Sequence, residues 1–175
     1  MVRLFAIAAI ALGLFGSLAF AQDHTLIIAI PSDIQNLDPT LSSGDVTTQE
    51  VLTNLYSFLI DFKLETDASG NLIGSPDEFV GDIAESFEFA EDGSKVTFHL
   101  RPDLKFSNGD PLDANAVKFT YDRIFGQGGV TAFLIGMARV DGPEAVRVID
   151  DLTVEFDISV PNTLLLGNMA QFGHS

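Results

Sequence analysis

The sequence predicts an α+β fold of mostly antiparallel strands with two or three helices, and two observations lead to it. Residues 87–101 and 145–158 each alternate apolar and polar side chains on both sides of a short acidic turn, the pattern of half-buried hairpins. Behind Thr47 and behind Asp113, apolar residues recur at helical spacing instead, and no repeat or low-complexity stretch interrupts the series.

The chain begins with a segment that reads as an export leader. Arg3 gives a charged start, residues 4–15 an apolar run, and Ala19-Phe20-Ala21 a small-x-small cleavage site, so residues 1–21 are expected to be a signal peptide. A membrane anchor would need about 20 apolar residues without a processing site, and no Cys follows the run to take a lipid after cleavage. The expected setting is the periplasm. What remains suits one domain, since a chain of about 150 residues buries roughly two-thirds of its unfolded surface. There is no Cys, so packing rather than disulfides must hold an exported fold together. The 25 acidic residues against 9 basic ones give a formal net charge of −16. Nucleic acid and anionic membrane both repel such a surface, and no nucleic-acid partner is expected.

The elements follow in order. Residues 25–30 form a short β-branched run ended by Pro31 and read as a buried strand. Asn36-Leu37-Asp38-Pro39 breaks it into a loop. Thr47-Thr48-Gln49-Glu50 has capping-box spacing, and Val51, Leu52, Leu55, Tyr56 and Leu59 behind it predict a helix of about three turns. Residues 58–64 lead through the turn cluster Asp67-Ala68-Ser69-Gly70-Asn71 into a hairpin. Phe87 and Phe89, then the turn Glu91-Asp92-Gly93-Ser94, then Val96, Phe98 and Leu100 make the clearest hairpin, with Arg101 expected to brace its end. Asp113 caps a helix whose stripe is Val117, Tyr121, Ile124 and Phe125, and Gln127-Gly128-Gly129 ends it. Residues 145–149 and 152–158 flank Asp150-Asp151 as another hairpin. Pro161-Asn162 opens a last apolar helix, whose Leu164, Leu165, Leu166, Met169 and Phe172 are expected to lack cover.

Little in this inventory suggests catalysis. A hydrolase needs a nucleophile activated by a base, and the three imidazoles are His99, on the polar side of a predicted strand, and His24 and His174 near the chain ends. No G-x-S-x-G elbow is present. No two His stand at ligand spacing, and the acidic clusters at 67–71, 91–94 and 150–151 read as turns rather than calcium loops, so no metal is expected. Asp77-Glu78 reads as a solvated face. Gly126 to Gly129 lacks the Lys-Ser/Thr of a phosphate loop, and no cofactor is expected.

One long stretch is nevertheless distinctive. It runs from Gly81-Asp82-Ile83-Ala84-Glu85-Ser86-Phe87-Glu88-Phe89 through Glu91-Asp92-Gly93 and Val96-Thr97-Phe98-His99-Leu100-Arg101-Pro102. It continues through Leu104-Lys105-Phe106-Ser107-Asn108-Gly109-Asp110-Pro111-Leu112 to the helix of residues 113–123. This series resembles the signature region of extracellular solute-binding protein family 5, which includes dipeptide-, oligopeptide- and nickel-binding proteins. Asn36-Leu37-Asp38-Pro39, Leu55-Tyr56-Ser57-Phe58-Leu59 and the hairpin of residues 148–156 followed by Pro161 support the resemblance, which extends over residues 26–168. Taken as residues alone, these look structural: Phe87, Phe89, Phe98 and Phe106 supply core and the glycines supply turns.

The resemblance implies a periplasmic binding protein-like type II fold, a two-lobed clamshell that encloses a ligand and presents its closed form to an inner-membrane ABC permease. It implies a monomer that binds a peptide or similar small molecule and catalyses nothing. It also implies a division of the chain into signal peptide (1–21), opening strand and loop of the first lobe (22–46), an extra α+β domain (47–160) and the start of a return to the first lobe (161–175). The second lobe is expected to be missing from these residues, and half a cleft is expected to bind poorly, because micromolar affinity needs about 8 kcal/mol. The family's ligand-reaching loop maps onto Ser42, Ser43, Gly44 and Asp45, where backbone groups and hydroxyls would fix an extended peptide and Asp45 a cationic end. A polar loop leading to a helix cap explains the same four residues. Two other classes compete: a free-standing periplasmic protein-interaction module, and a secreted hydrolase for which the nucleophile constellation is missing.

Overall fold

The computed structural model describes residues 27–41 and 45–172. The chain divides into two units, Met1–Ile30 and Pro31–Ser175. In the first unit the expected strand is not found over its described part. Residues 27–30 belong to no strand and are exposed, Ile27 at 87% and Ile28 at 72%. β-branched residues favour a strand only where a neighbouring edge and packing surface receive them.

In the second unit, helix α1 (Val46–Leu55) follows the loop at Asn36 to Asp38. Its cap is Asp45, not Thr47: the Asp45 carboxylate accepts from Thr48 N at 2.9 Å. The two threonines are buried inside the first turn, where Thr47 takes a bond from Ser32 Oγ (3.0 Å) and Thr48 Oγ1 one from Gln35 N (3.2 Å). The helix ends at Leu55, so Leu59 lies beyond it, and of the expected stripe Leu52 is fully buried while Leu55 stays 58% exposed.

Strands β1 (Ile60–Thr66) and β2 (Leu72–Gly81) form the first hairpin, with Asp67 accepting from Ser69 N and Asn71 N to close its turn. The pairing passes from Phe62↔Phe79 to Leu64↔Gly74, so residues 75–78 bulge out of β2. Pro76 sits in that bulge, where its missing N–H costs no ladder bond. At the far end the chain turns sharply into β3 (Ala84–Phe89), with Asp82 N and Ala84 N donating to Leu59 O. Arg101 braces this corner as expected, its Nε donating to Asp82 O at 2.8 Å.

Strands β3, β4 (Lys95–Leu100), β5 (Val146–Asp150) and β6 (Thr153–Asp157) make a four-stranded antiparallel sheet in the order β3-β4-β6-β5. One face is apolar: Val96, Phe98, Val146, Val154 and Phe156 are completely buried. The other carries a charge ladder, Lys95 and Arg147 both bonded to Glu155 and Asp157 on β6. His99 lies on this wet side, 3.6 Å from Glu88.

Helix α2 (Ala114–Gln127) covers the apolar face, started by Asp113, which accepts from Asn115 N and Ala116 N. Its Tyr121 ring meets Phe156 edge-on at 4.7 Å, and Phe156 meets Phe98 at 5.4 Å in the same way. Two of the expected core phenylalanines do not join them. Phe89 beside the β3–β4 turn is 44% exposed and Phe106 in the connector 39% exposed.

The glycines after Gln127 end α2 as expected, but the chain re-enters a helix at once, α3 (Gly129–Met137), which brings the described α-helices to four. Gly128 and Gly129 both take positive φ, 71° and 89°, so the reversal costs no strain there. The last helix, α4 (Leu164–Phe172), is started by Asn162, whose Oδ1 accepts from Leu164 N at 2.9 Å. It is better covered than its sequence suggested, because it packs on α3 and β1 and buries Leu165 and Met169 in the common core. Among the described residues no helix is long and apolar enough to cross a membrane.

Candidate functional site

The opening loop is tied into a small knot by its own side chains. Asn36 Oδ1 accepts from Asp38 N (2.9 Å), Asp38 Oδ1 accepts from Thr40 N (3.0 Å) and from Thr40 Oγ1 (2.8 Å), and Leu41 N donates to Asp38 O (3.1 Å). Such Asx turns are why Asn and Asp suit a loop here. The 3-10 turn Pro39–Leu41 follows, with Pro39 supplying the fixed φ that a first helical position needs.

Helices α2 and α3 hold this knot from outside. Arg123 forks onto both oxygens of Asp38, with Nη1 to Oδ1 at 2.7 Å. With its amide nitrogen toward Thr40 and its oxygen toward Arg123, Gln127 satisfies both neighbours, and Thr131 Oγ1 donates to Pro39 O at 3.2 Å. The guanidinium, reinforced by the Thr40 bonds, holds the Asp38 carboxyl down at about 2, and the Asp38 carboxylate raises the pKa of Arg123 in turn. Beside this cluster lies an open groove of about 950 Å³, with Leu37, Leu55, Tyr56, Phe106 and Phe119 on its walls. Two of these residues are joined, Tyr56 Oη donating to Leu37 O at 2.8 Å.

Of the four residues expected to reach a ligand, Ser42, Ser43 and Gly44 lie outside the described residues. Asp45 is described, at the N-terminus of α1 as its cap. His24 and His174 also lie outside. Among the described residues no group of three His, Asp or Glu stands together to hold a metal ion. Sequence reasoning missed Arg123, Gln127 and Thr131. They are separated from Asp38, Thr40 and Pro39 by 85, 87 and 92 positions, and no spacing rule links residues so far apart.

This α+β unit, with a helix on one face of an antiparallel sheet and a tied loop at its entry, has the fold of type II periplasmic binding proteins. The family model for bacterial extracellular solute-binding proteins, family 5 Middle, matches residues 78–175, and the chain belongs to that family. It is similar to the probable D,D-dipeptide-binding periplasmic protein DdpA of Escherichia coli, 34% identical over 154 residues that make up 86% of this chain and 27% of that protein. It is also similar to the dipeptide-binding protein of Escherichia coli, at 27% identity over 87% of this chain and 29% of the relative. The Escherichia coli murein tripeptide binding protein MppA shares the fold at a TM-score of 0.65 and 19% identity, over 82% of this chain and 28% of that one. The chain thus spans less than a third of the length of these relatives.

Proposed function

We propose that this chain is the opening portion of the substrate-binding component of an ABC transporter, which captures peptides or similar small solutes in the periplasm and delivers them to an inner-membrane permease. The observation that carries the reading is membership of the solute-binding family over residues 78–175, together with relatives named for dipeptides. On this reading the protein is periplasmic and binds rather than catalyses. On this reading Ser42, Ser43, Gly44 and Asp45 contact the ligand. Residues 1–21 are the leader, 22–46 the opening of the first lobe, 47–160 an added α+β domain, and 161–175 the return toward the first lobe. The binding unit is a monomer.

The test is isothermal titration of the natural periplasmic product with alanyl-alanine in its L,L and D,D forms and with a tripeptide. Saturable micromolar binding, worth about 8 kcal/mol, supports capture. No heat with any of these peptides, combined with unchanged uptake of labelled peptides in a strain lacking the gene, overturns it and favours the interaction module.

A further inference from the structure

The connector from β4 to α2 doubles back on itself as a tight turn. Phe106 N donates to Asp110 O and Gly109 N to Phe106 O, both at 2.9 Å, and Leu112 N donates to Leu104 O at 3.0 Å. At the tip stands Asn108-Gly109, the one place in the sequence where Asn precedes Gly. Both residues are exposed, and Gly109 has a φ of 93°. After every other asparagine the next residue carries a side chain that crowds its own backbone nitrogen. At Gly109 nothing does.

That pairing permits an uncatalysed reaction between neighbouring atoms. The Gly109 nitrogen, on losing its proton, attacks Cγ of Asn108; a new N–C bond closes a succinimide ring, and the side-chain NH2 leaves as ammonia with a proton from solvent. Water then adds to one of the two ring carbonyls and breaks its C–N bond. The product is aspartate, or isoaspartate in which the main chain runs through the former side chain. Three bonds oppose the first step. Gly109 N–H is engaged by Phe106 O, and the Asn108 amide is held at both ends by Asp110, its Oδ1 accepting from Asp110 N at 3.0 Å and its Nδ2 donating to Asp110 Oδ2 at 2.7 Å.

We propose that Asn108 is a site of spontaneous conversion to aspartate and isoaspartate, and that Asp110 is the residue that slows it in the folded protein. The turn does not survive the change intact. A carboxylate at 108 meets the like charge of Asp110 where the amide donated to it, and isoaspartate lengthens the main chain inside the turn. Phe106, Ser107, Asn108 and Asp110 all line the groove beside the tied loop, so the modification alters one of its walls.

The experiment incubates the natural protein, Asp110→Ala and Asp110→Asn at mildly alkaline pH, folded and in urea, and follows every asparagine-containing peptide by mass spectrometry. In urea all three should convert at Asn108 at similar rates, ahead of the other asparagines. Folded, the natural protein should convert about tenfold more slowly, a factor that one hydrogen bond of ordinary net strength supplies. Asp110→Ala should recover most of the unfolded rate, while Asp110→Asn, which keeps an acceptor for Nδ2, should stay slow. Equal folded and unfolded rates in the natural protein, or a folded Asp110→Ala as slow as the natural protein, overturns the restraint. No preference for Asn108 in urea overturns the site. Amide exchange at Gly109 in the natural protein depends on no variant: it should be slowed relative to the unfolded chain, and exchange at the unfolded rate overturns the restraint.

Discussion

Replacing Asp38 by Asn isolates the charge in the knot without changing its shape. The carboxyl falls from 3.8 to about 2 on folding, chiefly through the Arg123 bonds and then those of Thr40. At 1.36 kcal/mol per pKa unit this would be about 2.4 kcal/mol. Asp38 is 25% exposed and Arg123 36% exposed, so solvent screening reduces the expected loss at pH 7 to about 1–1.5 kcal/mol. The sign follows from the direction of the shift: a depressed carboxylate pKa stabilises the fold above the unfolded value of 3.8 and loses that stabilisation as pH falls toward 2. Urea unfolding followed by far-UV circular dichroism suits a chain with no Trp. The gap between the natural chain and Asp38→Asn should shrink to a small fraction of its pH 7 value at pH 2. The double-mutant cycle with Arg123→Met should show coupling of about 1 kcal/mol at neutral pH. A gap that stays the same at both pH values, or coupling below about 0.3 kcal/mol, would refute the assignment of Asp38 as a paired, ionised anchor.

Other substitutions test the scaffold. A Cβ at Gly81 would lie 2.1 Å from Ala84 O, a backbone atom that cannot step aside, so Gly81→Ala should cost about 1–3 kcal/mol in urea unfolding. Tyr121 is fully buried, its hydroxyl has no hydrogen-bond partner among the described residues, and burial pushes its ionisation up out of reach. Tyr121→Phe should therefore be neutral or stabilise by up to about 1 kcal/mol, and a loss of melting temperature would show a partner for the hydroxyl. Asp113→Ala removes two bonds to the first turn of α2 and should cost about 1 kcal/mol, while Asp113→Ser should restore most of it.

The legible parts of this fold are those whose signal is local. Strict alternation at Val96, Phe98 and Leu100 and at Val154, Phe156 and Ile158 placed both hairpins of the larger sheet, because a period of two leaves one choice of buried face. Asp113 and Asn162 announced their helices for a similar reason, since a cap acts on amides two or three residues away. Where reading failed, the competing term was tertiary. Thr47 has the side chain and spacing of a cap, yet burial against Ser32 engages it elsewhere, and Asp45 two residues earlier takes the role. Helix α3 was hidden by Gly128 and Gly129, which end one helix and begin the next without an intervening loop.

The candidate site divides along the same line. Its Asx turns are local, so the loop at Asn36 to Asp38 could be placed from the sequence. What holds the loop comes from positions about half a chain away, and Arg123 and Gln127 read on their own as ordinary polar residues on a helix. The separation has a physical consequence: a loop anchored by distant helices keeps its shape only while the sheet and α2 are packed. On the proposed reading, a ligand that selects the anchored loop would also raise the stability of α2, because binding to the folded form alone is linked to folding.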